Sequence, residues 1–289
     1  MTRATADRAS RGIRALLAVL LAVACCATAA ADETRNAFRP CIDPSNLPFA
    51  NTKGEGFENR IAALFARELS LPVESYAFPQ RMNFIRNTLR YRLPGEEYRC
   101  DVVMSVPAGY DQVSATRPYY RSTYALVYAR GRGLDQVKTG ADFLALPADV
   151  RGRLRIGIHD KSPAGPWLVK HGLEGQTRLY PMMSPDPDQY PGAIIDQELA
   201  QGRIDAAIVW GPVAGYYAKR VANVPLTVVP LQSEPGVRFD YEIAMGVRFG
   251  EREWKDTIDR LITENQKAID AILVEYGVPL VNERGEPIN

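Results

Sequence analysis

Apolar and polar positions along the chain change period in a regular order. In GFENRIAALFARELSL, residues 56–71, Ile61, Leu64, Phe65 and Leu69 fall on one helical face. The FRPCI stretch before it reads as a strand and leads into the Pro-rich loop DPSNLPF. PVESYAF after the helix reads as the next strand, and PQRMNFIRNTLRY as a helix with Pro79 in its first turn. The loop RLPGEEYR then gives way to CDVVMSV, an apolar run of the kind covered on both faces. This βαβαβ order predicts a parallel sheet wrapped by helices. The second half repeats it: strand RLRIGI, helix IIDQELAQG closed by Gly202, strand DAAIVW, then GPVAGYYAKRV. FDYEIAMGVR alternates as a strand. Trp254, Ile258, Leu261, Ile262, Ile269 and Leu273 then mark a long helix with a core-facing stripe.

RCDVVMSVPAGY, residues 99–110, is echoed by RIDAAIVWGPVAGY, residues 203–216: a turn aspartate, an apolar strand, and an exit with Pro, Ala, Gly and Tyr. The echo predicts two α/β lobes of similar build. Ligands of open α/β sheets bind beyond the carboxyl ends of the strands, so both exits are expected at a shared cleft. RSTYALVYARG is extended and long enough to cross from one lobe to the other, and the chain must return near VPLQSEPGVRFDYEIAMG. Two crossings make a hinge, with Arg117, Tyr119, Tyr120 and Arg121 packed around it. The competing reading is a solvated loop with ordinary packing tyrosines. The expected division is 32–124 for the first part of lobe 1, 125–235 for lobe 2, and 236–289 for the return to lobe 1.

Residues 1–31 change the setting. Arg3, Arg8, Arg11 and Arg14 precede an apolar run over 15–24 and small residues to Ala31, the layout of a secretory signal peptide and too short for a bilayer span. Cleavage is expected after Ala29 or Ala31; Cys25 and Cys26 also permit lipidation, although Ala22 stands where a lipoprotein signal usually has leucine. Removing residues 1–31 from the 289 leaves 258, and the loss of four arginines and one aspartate takes the formal charge from +1 to −2. That balance predicts no nucleic-acid or anionic-membrane partner. Export also frames the cysteines. Cys41 and Cys100 alone survive cleavage, and in an oxidising compartment such a pair reads as a structural disulfide, with two buried thiols as the alternative.

The segments CIDPSNLPF, GFENRIA, PQRMNFIRNTL, CDVVM, TRPYYRSTY, WGPVAGYYAKR, IAMGVR and IDAILVEYGVPL carry a further signal. Across nearly all of the mature chain they resemble the periplasmic type-II solute-binding proteins. Within them the chain is similar to the J-type accessory proteins of methanol oxidation, the quinoprotein dehydrogenase-associated substrate-binding proteins. The resemblance implies a two-lobed fold, each lobe a mostly parallel sheet flanked by helices, joined by two crossover segments. It also implies a periplasmic location and a PQQ-dependent methanol or alcohol dehydrogenase as partner.

The departures matter as much. Amino-acid-binding members carry an arginine after the strand matching CDVVMSV, where it clamps a ligand carboxylate; here the turn reads PAGYDQ. They end the lobe-2 strand with an aspartate for the ammonium, and here Trp210 stands there. Both clamps for a zwitterion are missing. The expected cleft is aromatic and weakly polar: Asn46, Phe49, Arg81, Pro107 and Tyr110 from lobe 1, and Trp210, Gly211 and Tyr216 from lobe 2, fit for an apolar or aromatic solute or a protein segment. Arg81 is a candidate for an anion, or simply a surface arginine. His159 and His171, twelve residues apart without neighbouring ligands, predict no metal site and read as loop and helix-surface residues. Asp186 and Asp188 lie in a Pro-rich loop without calcium spacing. No nucleotide or nucleophile motif is present, Asp43 and Asp111 serve local turns as readily as catalysis, and no cofactor is expected. Three functions remain: a non-enzymatic accessory protein that binds the dehydrogenase and aids its assembly or activation, a solute receptor of an ABC importer, and a dehydratase-like enzyme needing a titratable carboxylate in the cleft.

Overall fold

Strand pairing follows the order read from the chain up to one long strand, where it changes partners. The structure is a computed structural model that describes residues 35–80, 83–182 and 190–288; the expected signal segment, Arg81, Asp186 and Asp188 lie outside the described residues. Strands β1 (Pro40–Ile42), β4 (Tyr76–Ala77) and β5 (Val102–Pro107) are parallel, with β1 in the middle. The hairpin β2 (Ser45–Asn46) and β3 (Ala50–Asn51) stands apart and contains a cis Leu47–Pro48 bond. β11 (Asp240–Val247) lies antiparallel between β5 and β6 (Ser114–Ala129).

β6 is sixteen residues long. Its first ten residues pair with β11, ending at Thr123 opposite Asp240. From Tyr124 onward it pairs antiparallel with β9 (Ala206–Trp210) on one side and β10 (Leu226–Pro230) on the other. β7 (Ile156–His159) and β8 (Thr177–Tyr180) extend the sheet from β9 in parallel. The architecture is thus the expected α/β form: one nine-stranded mixed sheet, parallel in its outer strands and antiparallel around β6 and β11, flanked by helices.

The helices bury the faces that their spacing marks. In α1 (Phe57–Glu68), Phe57, Ile61, Leu64 and Phe65 enter the core. Its start is drawn tightly against the β2–β3 hairpin: a Cβ at Gly56 would lie 2.0 Å from the Phe49 carbonyl oxygen, so only glycine fits. Asn59 reaches back so that its Oδ1 accepts from the Gly56 and Asn51 amides, both at 3.1 Å. The helix expected over residues 79–91 shrinks to one turn, α2 (Phe84–Asn87), because Asn83 takes a left-handed backbone at φ 67° and cannot continue a helix from the N-terminal side. Short helices α3 (Gly140–Leu144) and α5 (Ala164–Lys170) pack Phe143, Trp167 and Leu168 against β7 and β9, α4 (Ala148–Arg151) buries none of its residues, and α6 (Gly211–Arg220) packs Val213 and Ala214 against β6 and β9. The segment Ile194–Leu199 forms a wide π-type turn rather than an α-helix. α7 (Arg252–Glu275) buries all six residues of its expected stripe.

Cys41 and Cys100 form the disulfide, joining β1 to the residues that lead into β5. Beside it lies a buried ionic cluster. The Arg248 guanidinium donates to Asp101 Oδ1 at 2.5 Å and to the Leu89 and Cys100 carbonyls at 3.0 and 2.6 Å, while Arg39 Nε donates to Asp101 Oδ2 at 2.8 Å. Its partner bonds offset the cost of removing these charges from water. Arg248→Ala is expected to lower the free energy of unfolding by about 3 kcal/mol, read from the guanidinium midpoint. Arg67→Ala, which removes only the exposed pair with Glu68, should leave that midpoint in place.

Candidate functional site

Where β6 changes partners, a cavity of about 490 Å³ opens beside the carboxyl ends of β5, β7 and β9. One wall comes from the β1 to α1 region and β5: Asp43, Asn46, Phe49, Glu58, Ser105 and Pro107. The opposite wall holds Tyr124, His159, Trp210 and Tyr241, and Tyr120 lies between them on β6. The aromatic side is braced internally. Tyr124 and Trp210 have ring centroids 5.4 Å apart, and Trp210 meets Tyr241 edge-on at 6.0 Å.

Four expected cleft residues, Asn46, Phe49, Pro107 and Trp210, line this cavity. Asn46 donates to Gln80 Oε1 at 2.9 Å, which ties the hairpin to the segment after β4. Arg81 lies outside the described residues. Tyr110, Gly211 and Tyr216 are placed elsewhere. Tyr110 packs toward the disulfide cluster because its loop turns over β5. Gly211 opens α6 under the backbone of β6, where an added Cβ would be 2.3 Å from the Thr123 oxygen. Tyr216 faces away from the cavity, stacked on Tyr276 at 5.8 Å with the Arg220 guanidinium 3.5 Å from its ring centre.

The four residues around the crossing divide between two environments. Arg121 bridges Asp240 at 2.6 Å and Glu242 at 2.9 Å, across the register of β6 and β11. Arg117 is held by α7: its amide donates to Asp259 and its guanidinium to Thr263, both at 2.6 Å. Tyr119 and Tyr120 are buried, with Tyr119 Oη 3.0 Å from Ser105 Oγ and the Tyr120 ring edge-on to Phe57 at 6.2 Å. The Tyr120 hydroxyl is buried without a hydrogen-bond partner.

Two titratable residues of the cavity escaped the sequence reading. His159, expected on a loop, ends the fully buried strand β7, and burial lowers its basicity below the ordinary imidazole value, against the pull of the Pro191 backbone. Glu58 sits in the first turn of α1 with 7% of its surface exposed. Burial pushes its carboxyl up to about 7; the Asp43 charge adds to the rise and a hydrogen bond with Ser105 opposes it. Its signal was present: Glu58 is an acid on the same helical face as Ile61, Ala62 and Phe65, all buried. Asp43 does serve its local turns, accepting from the Ser45 amide at 2.8 Å and from the Gln80 amide, while its side chain also lines the cavity. Among the described residues, no cluster of His, Cys, Asp and Glu has metal-binding geometry, and no helix is long and apolar enough to cross a membrane.

No profile of a known protein family matches the chain. The structure is similar to that of the periplasmic binding protein XoxJ from Methylobacterium extorquens AM1, with TM-score 0.69 and 34% identity over 85% of this chain and 100% of that one. This chain belongs to the MoxJ branch of the type-II periplasmic binding proteins. Among curated proteins it is 28% identical to Protein MoxJ of Paracoccus denitrificans, over 90% of this chain and 94% of that protein. MxaJ from Methlophaga aminisulfidivorans MPT shares the fold at TM-score 0.69 and 24% identity, covering 84% of this chain and 100% of that one.

Glu58 gives the site a pH signature. Its carboxyl binds a proton more tightly in the folded than in the unfolded chain, so its contribution is fully present below pH 4.5 and is lost as pH rises through about 7. Glu58→Gln should therefore gain stability relative to the parent between these values, reaching roughly 3 kcal/mol above neutrality. Urea melts of both proteins from pH 4 to pH 8 check this; parallel curves would remove the buried acid from the account.

Proposed function

We propose that the chain is a non-enzymatic periplasmic accessory protein that binds a PQQ-dependent alcohol or methanol dehydrogenase and aids its assembly or activation. The similarity to XoxJ and MoxJ over essentially the whole of those proteins carries this reading. A location in the periplasm accords with the family and with the export layout of residues 1–31. In the same reading the lobes divide at 32–124, 125–235 and 236–289, and Arg117, Tyr119, Tyr120 and Arg121 flank the hinge. The partner change between Thr123 and Tyr124 supports the first boundary. The Arg121 bridge to Asp240 and Glu242 supports a crossing pinned by charge, because it joins the outgoing strand to the returning one.

One observation favours a second reading, a solute receptor of an importer for a ligand other than an amino acid: the cavity has the volume and the mixture of aromatic and polar walls typical of small-molecule sites. The two readings part in a pull-down. The tagged mature chain, incubated with periplasm of its own host at moderate salt, should recover a quinoprotein dehydrogenase identified by mass spectrometry. Recovery of transporter subunits without any dehydrogenase would overturn the accessory reading in favour of the receptor. Trp210→Ala, which opens the aromatic wall, should leave dehydrogenase recovery within about two-fold if the partner docks outside the cavity, and should abolish solute binding in a receptor.

A further inference from the structure

The cavity wall contains two carboxyl groups, Asp43 and Glu58, and one imidazole, His159; among the described residues it contains no lysine or arginine. A ligand carboxylate would meet like charge there, and none of these described residues offers it a guanidinium. Phe49, Tyr124, Trp210 and Tyr241 add aromatic rings to the lining, beside aliphatic side chains such as Val103 and Ile243. Aromatic rings attract an organic cation through their quadrupoles, most strongly where water is excluded. A further polar feature, among neutral groups that include Asn46, Gln80 and Ser105, points the same way. Tyr120 is 6% exposed and its hydroxyl lacks a partner, although an orphaned buried hydroxyl costs free energy that a bound donor would recover. We infer that this cavity binds an organic ammonium ion with an apolar body, its N–H groups at Glu58 and the Tyr120 hydroxyl and its body against Tyr124 and Trp210.

This inference goes beyond the dehydrogenase reading and does not depend on it. The missing lobe-2 aspartate is replaced in effect by an acid from the other wall, so the ammonium half of a zwitterion site survives without its carboxylate half. The groups facing Glu58 are Asp43 from the loop after β1, Ser105 from β5, and the Tyr119 and Tyr120 hydroxyls from β6. None of them supplies a positive charge. A cation entering the site therefore favours ionised Glu58, and binding at pH 6 releases a proton that the free protein holds.

The test uses the purified mature chain alone, so a failed pull-down and a failed titration remain separate results. Phenethylamine, tetramethylammonium, 2-phenylethanol and 3-phenylpropanoate are titrated by calorimetry at pH 6 and pH 8, in buffers of differing ionisation enthalpy. Phenethylamine should bind at least about ten-fold tighter than the isosteric alcohol at pH 8, weaken about ten-fold at pH 6, and release close to one proton there. The anion should not bind. Glu58→Gln should lose the preference for amine over alcohol and the proton release, with alcohol binding retained. Equal or tighter binding of the alcohol, binding of the carboxylate, amine binding without proton release, tetramethylammonium binding as tight as that of the amine, or no response to phenethylamine would each overturn the proposal. The proton count is measured on the unmodified protein, so it decides the matter even if the variant fails to fold.

Discussion

The structure depends on β6 being one uninterrupted strand with two sets of partners. Backbone amides and carbonyls must be paired when buried, and β6 satisfies its own first with β11 and then with β9 and β10. Because side chains alternate along a strand, the change at Thr123 and Tyr124 also fixes which residues reach the cavity. Tyr120 and Tyr124, four apart, share a face and both line it. Arg121, of the other parity, binds the returning chain through Asp240 and Glu242, while Ser122, between the two tyrosines, donates to the Pro279 carbonyl at 2.7 Å. The crossing and the cavity are two consequences of one strand.

Glu58 shows how the same packing creates chemistry. A carboxyl in the first turn of a helix normally gains from the positive end of the helix dipole, which favours its ionised form. Here that gain is opposed by burial beneath the hairpin and by the nearby Asp43 charge, and the proton is held to about pH 7. The hairpin can lie so close only because residue 56 lacks a side chain. Packing of one glycine thus sets the solvation of the acid that follows two positions later. Among the described residues, the charged side chains on the cavity wall are the acids Asp43 and Glu58.

Much of this was legible along the chain. The apolar stripes of α1 and α7, the buried runs of β5 and β9, the cysteine pair and the family all follow from local spacing or from quoted segments. The failures have physical causes. PQRMNFIRNTLRY has a helical pattern, but the left-handed Asn83 limits it to one turn. β8 and β10 are short, with mixed burial, so alternation does not announce them. RCDVVMSVPAGY and RIDAAIVWGPVAGY resemble each other as text, yet the first exit is a turn before β6 and the second is the start of α6. That difference puts Pro107 and Trp210 on the cavity and removes Tyr110 and Tyr216 from it.

By itself the sequence determined the α/β organisation, the basic and apolar layout of residues 1–31 and the aromatic residues at the strand ends, because each is a property of residue type at local spacing. Only the tertiary structure decided the electrical character of the site. Glu58 and His159 become cavity residues with shifted proton affinities when distant segments bury them, and Tyr120 loses its hydrogen-bond partner in the same way. Solvation is a property of everything that surrounds a group, and no stretch of neighbouring sequence contains that information.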